Sequence, residues 1–109
     1  MAVSAEEIAF LTDHFSDLGA ITTRRMMGGL CVYADGVIFA IVGPDGRHYF
    51  KARDDLAEAL AAEGASQWRY ANEKTGRRAV MPYWTFPEAA LDDPNEACTW
   101  ARKSLAQAD

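Results

Sequence analysis

The chain has 109 residues, which is the size of one domain with a single hydrophobic core, and half of these residues are hydrophobic. The formal net charge of −5 argues against a generic nucleic-acid binder, and the longest apolar run, 37–42, is far too short to cross a membrane. Acidic residues near the N-terminus argue against a signal peptide. We therefore expect one soluble, cytoplasmic domain over residues 1–109 that does not associate with membranes.

The charge is unevenly distributed along the chain. Residues 1–20 hold four acids and no Lys or Arg, whereas residues 21–87 hold nine bases against seven acids. Residues 88–109 hold two bases against five acids. The middle of the chain is therefore mildly basic between two acidic ends, which marks it as the place to look for a charged surface.

The first predicted element is a helix that begins after Ser4. Ser4 and Glu7 have the spacing of a capping box, in which each side chain bonds the other residue's amide. Gly19 is typical of the residue that follows a helix. Apolar residues between these two points recur at spacings of three and four, namely Ile8, Leu11, Phe15 and Leu18. This stripe predicts a helix with one buried face.

A continuous antiparallel β-meander is predicted next, running from about Met26 to Arg53. Asp35-Gly36 between two apolar runs favours a tight hairpin turn, which needs positive φ at both positions. A second reversal is predicted at 43–46, whereas Gly28-Gly29 is expected to break or bulge an extended segment. The predicted extended segments are 21–27, 30–34, 37–42 and 47–53.

The second half of the chain predicts a helix, a hairpin and a final helix. Asp55 is in position to cap a short helix that ends before Gly64. Segments 67–71 and 79–84 flank a polar turn and predict a hairpin, in which Pro82 favours an edge position or a departure from the sheet. Asp93-Pro94-Asn95-Glu96 begins the last helix. The expected fold is therefore α+β with two layers: an antiparallel sheet of about five strands, with the N- and C-terminal helices on one face.

Candidate catalytic and metal-binding groups are few. Cys31 and Cys98 are the only thiols and His14 and His48 the only imidazoles, without the spacing of a zinc site. We expect no catalytic residue, no metal and no cofactor. A thiol-dependent enzyme that uses Cys31, activated by His48, remains an alternative, because both residues lie in the predicted meander.

Two basic pairs could form a charged surface. Arg24-Arg25 lies in the first extended segment, and Arg77-Arg78, with Lys74 nearby, lies in the second hairpin. If these two segments pair, the four arginines would make one positive patch beside Tyr83 and Trp84. Such a patch suits an acidic protein partner or a nucleic acid, whereas the simpler interpretation is a solvated sheet face.

Several short runs, in this order, resemble one known family. They are Arg25-Met26-Met27-Gly28-Gly29, Tyr33-Ala34-Asp35-Gly36-Val37-Ile38-Phe39-Ala40 and Tyr49-Phe50-Lys51, followed by Trp68, Tyr70, Met81-Pro82-Tyr83-Trp84, Pro87 and Trp100. Together they are similar to the N-terminal domain of the TfoX/Sxy family of competence regulators over nearly the whole chain. Met27 stands where members commonly carry Phe, which exchanges one large apolar side chain for another.

The resemblance implies helices packed on one antiparallel sheet and offers no catalytic residues. It also implies a link to bacterial transcription, since full-length relatives are co-activators of DNA-uptake genes that act alongside the cyclic-AMP receptor protein. Those relatives carry a second, C-terminal domain, whereas this chain ends at Asp109. We therefore expect a stand-alone form of the domain.

The combined prediction is a non-enzymatic protein-interaction module linked to transcriptional regulation. A protein partner is expected to contact the sheet face that the helices leave uncovered, through Arg24, Arg25, Lys51, Arg53, Tyr83 and Trp84. Direct nucleic-acid binding is the main alternative. Self-association into a homodimer also stays open, because an uncovered face or edge invites a symmetric partner.

Overall fold

The computed structural model describes residues 3–26, 28–71, 74–76 and 78–107. The elements in these ranges are α1 Ala5–His14, β1 Ile21–Met26, β2 Gly29–Ala34, β3 Val37–Val42, β4 His48–Lys51, α2 Asp54–Ala62, β5 Gln67–Ala71, β6 Arg78–Thr85, α3 Glu88–Asp92 and α4 Pro94–Gln107. A 3₁₀ turn, Ser16–Leu18, follows α1. Among the described helices, none is long and apolar enough to cross a membrane.

The strands form one six-stranded sheet in the order β1-β2-β3-β4-β6-β5, and every neighbouring pair is antiparallel. The predicted α+β fold with an antiparallel sheet is confirmed. The sheet has six strands where about five were predicted, because the segment around Gly28 is a reversal and not a bulge. Met26 pairs directly with Gly29, so β1 and β2 are separate strands joined by two residues; Met27 lies outside the described residues.

The hairpin predicted at Asp35-Gly36 is confirmed. Ala34 pairs with Val37, and the two turn residues have φ values of 49° and 83°. Such values match the right-handed twist of the flanking strands. The Asp35 carboxylate also accepts a hydrogen bond from the Ala20 main-chain N–H at 3.0 Å. The turn therefore ties the start of β1 to the end of β2.

The helices pack on one face of the sheet, as predicted. Buried residues from all four described helices share one cluster, the main core, with the inward residues of the strands. Phe15, at the end of α1, is fully buried there, and its ring lies edge-on to the rings of Phe39, Phe50 and Phe86 at centroid distances of 5.0, 6.2 and 5.9 Å. These aromatic contacts hold α1 against the middle of the sheet.

Two of the three predicted helix N-caps are present in the structure. The Ser4 side chain accepts from the Glu7 N–H at 3.1 Å, and the Asp93 carboxylate accepts from the Asn95 N–H at 2.9 Å, so α1 and α4 begin as predicted. The Asp55 cap is wrong, because α2 begins at Asp54 after Arg53, without a side-chain cap. Helix α3 was not predicted, since five residues are too few to show periodicity.

Pro82 lies in an interior strand, although β6 changes its neighbours there. Lys51 pairs with Tyr83, and the Pro82 carbonyl accepts from the Ala52 N–H at 3.0 Å, where β4 has already ended. Residues 78–81 of β6 therefore have only β5 beside them among the described strands. The proline is tolerated because its missing N–H falls at the end of the β4 ladder.

Candidate interaction surface on the open sheet face

The sheet face opposite the helices, here called the open face, carries its own side-chain layer. A row of directly paired residues crosses five strands, and paired residues in an antiparallel sheet share a face. The row consists of Arg24, Cys31, Ile41, Tyr49 and Thr85. Alternation along the strands places further described residues on the open face, among them Thr22, Met26, Tyr33, Ile38, Lys51, Trp68, Met81 and Tyr83.

The centre of the open face is an aromatic cluster. Cys31, Ile41 and Tyr49 are only 3%, 6% and 3% exposed, although no helix residue belongs to the cluster that buries them. Half-buried rings cover them instead, and the Trp68 ring lies 5.9 Å from that of Tyr49 and 6.2 Å from that of Tyr83. The outer surface of these half-buried rings remains available for contact with another molecule.

Tyr49 and Tyr83 of this cluster have hydroxyl groups whose pKa is raised by burial. Burial raises the pKa of Tyr83 above its ordinary value, and the nearby Cys31 and Tyr33 raise it further. Burial also raises the pKa of Tyr49, whose hydroxyl donates to the Asp45 carboxylate at 3.0 Å. Both phenols are therefore neutral hydrogen-bond donors at physiological pH.

Charge is segregated between the two layers of the domain. In the six described strands there is no Asp or Glu, whereas five Lys or Arg lie there: Arg24, Arg25, Lys51, Arg69 and Arg78. The four described helices hold nine Asp or Glu and two Lys or Arg. The net negative charge of the chain therefore comes from the helices, turns and chain ends, whereas the strands carry a net positive charge.

The structure separates the six residues predicted to contact a partner. Arg24, Lys51 and Tyr83 lie on the open face, where Lys51 and Tyr83 are a direct pair. Arg25 lies on the helix side, and its guanidinium donates to the Val3 carbonyl. Trp84 packs against the main core. The period-2 alternation of strand side chains already predicts that adjacent residues face opposite ways.

Arg53 has an intramolecular role in addition to any role at a surface. It lies between β4 and α2, where its N–H donates to the Gln107 side chain at 3.0 Å. Its guanidinium donates to the Gln107 carbonyl at 2.7 Å, and the Gln107 amide donates back to the Arg53 carbonyl at 2.7 Å. Three hydrogen bonds therefore fasten the end of α4 to the chain after β4.

The condition for a single basic patch, that the segments of the two basic pairs lie side by side, is not met. Three strands separate β1, which carries Arg24-Arg25, from β6, which begins at Arg78. At about 4.8 Å per strand the two segments are about 19 Å apart. Arg77 lies outside the described residues. The two segments do not pair, and local patterns could not decide this because strand order is a long-range property.

Three aromatic residues of the open face were not predicted from the sequence. Tyr33, Tyr49 and Trp68 were not named as candidates, although all three contribute to its cluster. Alternation is the signal that could have found them: Tyr33 is two residues from Cys31, and Tyr49 is two residues from Lys51. Trp68 needed the β5–β6 pairing as well.

Cys31 and His48 lie on opposite faces of the sheet. Cys31 is in the open-face row, whereas His48 pairs with Val42 and faces the helices. An imidazole on the far side of a strand cannot take a proton from the thiol. The other thiol, Cys98, donates to the His14 carbonyl at 3.6 Å, and burial raises its pKa. Within the described ranges, no group of three His, Cys, Asp or Glu is arranged to hold a metal ion.

A cleft of about 620 Å³ lies beside His48. Its lining residues are Arg47, His48, Thr85, Phe86, Glu88 and Leu91. The His48 Nε2 atom is 3.1 Å from the Glu7 carboxylate. Burial lowers the pKa of His48, an effect that Glu7 opposes and His14 adds to. The cleft is open to solvent.

Fold and surface together define a small two-layer α+β domain that exposes an aromatic and basic sheet face. The sequence profile of the TfoX N-terminal domain matches residues 13–108, which is nearly the whole chain. The chain belongs to the TfoX N-terminal domain family, as the resemblance of its motifs predicted. No curated protein sequence matches it significantly.

Proposed function

We propose that this chain is a non-enzymatic protein-interaction module in bacterial transcriptional regulation, and that its open face binds an acidic surface of a partner protein. The observation that carries this proposal is the composition of the open face. Half-buried Tyr33 on β2 lies between Arg24 on β1 and Lys51 on β4, and half-buried Tyr83 and Trp68 continue the face beyond Lys51 on β6 and β5. Asp45 reaches the face only from a turn. Aromatic and arginine side chains are the types enriched at the centres of protein interfaces.

The regulatory part of the proposal follows from family membership. Relatives with the same N-terminal domain were expected from the motifs to act as transcriptional co-activators beside a DNA-bound receptor. A module of that kind needs a surface for another protein more than a catalytic site. The separation of Cys31 from His48 by the sheet removes the arrangement on which the thiol-enzyme alternative rested.

Charge favours a protein partner over nucleic acid. A nucleic-acid surface gains most of its affinity from several cations that neutralise phosphates. The open face offers Arg24 and Lys51, while the acidic helical layer of the same small domain would repel a long polyanion. Two cations around an aromatic centre suit an acidic protein surface of ordinary interface size better.

The test is a pull-down from a bacterial lysate with the wild-type domain and two charge-reversal variants. The first, Arg24→Glu with Lys51→Glu, changes the open face, and the matched control, Arg102→Glu with Lys103→Glu, makes the same charge change on α4. We expect a salt-sensitive, nuclease-resistant complex that the first variant loses and the control retains. Retention by both variants would contradict the proposed surface.

The nucleic-acid alternative makes a different prediction for the same proteins. Direct binding requires that labelled single- or double-stranded DNA or RNA raise its fluorescence anisotropy with the wild-type domain, with an affinity that falls steeply with salt. We expect no saturable binding at low salt. If the wild-type domain binds saturably and the Arg24→Glu, Lys51→Glu variant does not, the partner of the open face is a nucleic acid and the proposed protein partner is wrong.

A further inference from the structure

We infer that β1 pairs with an extended acidic segment of the partner protein, which adds to the sheet as a seventh strand. The inference rests on the proposed function, because it specifies how that partner is held. It concerns the edge of the sheet beside Arg24, where the main chain of β1 has a strand on one side only.

The hydrogen-bond pattern of β1 identifies the groups that point away from the sheet. The Ala20 carbonyl accepts from the Asp35 N–H at 2.9 Å, so Ala20 is a hydrogen-bonded position opposite β2. Bonded and non-bonded positions alternate in an antiparallel pair. The N–H and C=O groups of Thr22 and Arg24 therefore face β2, and those of Ile21, Thr23 and Arg25 face outward. Three donors and three acceptors are thus spaced for another strand.

The regularity of β1 sets it apart from the opposite edge of the sheet. All six residues of β1 pair with β2 without a register shift, from Ile21 opposite Ala34 to Met26 opposite Gly29. The other edge strand, β5, has a shift in register between Gln67 and Arg69. An incoming strand needs a regular ladder of main-chain groups, so β1 is the edge that suits it.

The charges of β1 determine which strand it accepts. Arg24 is exposed on the open face and Arg25 is exposed on the helix side, where its guanidinium also contacts the Val3 carbonyl. A neighbouring strand with glutamates or aspartates on both faces would place a carboxylate beside each arginine. In antiparallel strands, opposite and diagonal residues lie within about 8 Å and interact.

A second copy of the chain fits this edge poorly. Antiparallel pairing of two β1 strands about a two-fold axis at Thr23, the central outward-facing residue, makes the two Arg24 side chains diagonal neighbours, within about 8 Å. Two cations at that distance repel, and natural proteins use charged edge residues in this way to prevent self-pairing. The charge pattern therefore selects an acidic strand from another protein.

The experiment uses a synthetic eight-residue peptide of Thr, Val and Glu with glutamates at three consecutive central positions. Amide hydrogen exchange of the ¹⁵N-labelled protein is followed by NMR with and without saturating peptide. We expect the amides of Ile21 and Thr23 to exchange at least about tenfold more slowly, the gain expected of one new hydrogen bond. The amides of Thr22 and Arg24, which already bond to β2, should not change. Equal protection of all four amides, or no saturable binding, would overturn the inference.

Two matched peptides separate main-chain pairing from charge attraction. A peptide with Gln in place of each Glu should bind at least about tenfold more weakly, and so should one whose outward-pairing amides are N-methylated. Both leave the protein intact, so neither result depends on a variant that folds. An N-methylated peptide that binds as well as the parent would overturn strand addition.

A protein variant distinguishes failure of this inference from failure of the proposed function. Thr23→Pro removes one outward N–H, whereas Lys51→Glu changes only the open face. We expect both variants to weaken the complex with the partner recovered by pull-down. If Thr23→Pro leaves the affinity for this partner unchanged while Lys51→Glu lowers it, strand addition is wrong but the open face is still the binding surface. If neither lowers it, the proposed function fails too.

Discussion

His48 on β4 lies against α1, where its Nε2 atom is 3.1 Å from the carboxylate of the partly buried Glu7. Its ring faces the helices beside Phe86, at a centroid distance of 5.6 Å. Burial there outweighs the attraction of Glu7, so the net effect on the pKa of His48 is a decrease. A histidine that folding holds in its neutral form makes stability depend on pH near neutrality.

The pH dependence of stability follows from the sign of this shift. The pKa of His48 is lower in the folded chain than its ordinary value of about 6.5 in the unfolded chain. The unfolded chain therefore takes up the proton first as the pH falls, and the stabilisation, complete above pH 6.5, is lost as the pH falls through the folded value. Urea unfolding should give a lower free energy of unfolding at pH 5.5 than at pH 7.5.

Two variants test whether His48 is the group responsible. His48→Gln should flatten the change in unfolding free energy between these two pH values. Glu7→Gln removes the attraction that raises the pKa of His48 and should steepen it. A His48→Gln protein with the same pH dependence as the wild type would assign the effect to another group, His14 being the other imidazole.

Ser104 is a second buried polar residue with a defined task. Its hydroxyl lies 3.3 Å from the Phe39 carbonyl and also contacts the Lys51 carbonyl, so α4 is bonded to β3 and β4. We expect Ser104→Ala to lower the free energy of unfolding by about 1–2 kcal/mol, because it leaves buried carbonyls without a donor. Thr99→Ala, which removes an exposed hydroxyl from the same helix, should cost less than about 0.5 kcal/mol. Equal losses in denaturant unfolding would contradict the role given to Ser104.

Among the elements, the β2–β3 hairpin contains two glycines that a larger residue cannot easily replace. A Cβ atom on Gly29, at the start of β2, would collide with the main-chain carbonyl of Val42, whereas one on Gly36 would meet nothing within 4 Å. Gly36 requires a positive φ of 83°, however. Lack of space therefore disfavours a side chain at Gly29, and the backbone conformation disfavours one at Gly36.

These two limits predict losses of different size. Gly36→Ala should lower the free energy of unfolding by about 1–2 kcal/mol, the cost of a left-handed conformation for a residue with a Cβ. Gly29→Ala should lower it by at least about 2 kcal/mol and shift the β2–β3 amide resonances, since the two strands must separate. Thermal or urea unfolding of both variants measures the order. A larger loss for Gly36→Ala would contradict the close approach of β2 and β3.

Local elements were predictable where local chemistry determines them. The Asp35-Gly36 turn and the Ser4 and Asp93 caps depend on residues within four positions of each other, and all three were found. The reversal at Gly28 was missed, because two glycines in an extended segment suit a bulge as well as a turn. The start of α2 was misplaced for a similar reason: Asp54 and Asp55 are equally good acids for a first turn.

For the whole molecule, the layers could be predicted from the sequence, but the order of the strands in the sheet could not. Two layers with helices on one face could be predicted from amphipathic patterns, and the family from the order of its motifs. The position of β6 between β4 and β5 could not, because it depends on pairing across 30 residues of chain. Without it, the sequence left open whether Arg24-Arg25 and Arg77-Arg78 share one patch, and Trp84, which packs against the main core, was placed on the open face.

Charge segregation is also a property of the whole molecule. A net charge of −5 conceals a sheet without a single acid in its described strands and an acidic helical layer. We expect such a polarity to orient the domain toward the acidic partner proposed above and to make the encounter rate depend on ionic strength. The open face lies on the basic side of the domain.

The central claim, that the open face is the surface that binds a partner, is tested most directly by site-specific photo-crosslinking in the bacterial cell. Benzoylphenylalanine at Tyr33 places the reactive group on the open face, and the same group at Phe10, 45% exposed on α1, is the matched control on the helical layer. We predict one discrete crosslinked protein at Tyr33 that is absent at Phe10 and lost when Lys51→Glu is added. Crosslinks of equal yield at both positions, or at Phe10 alone, would contradict it.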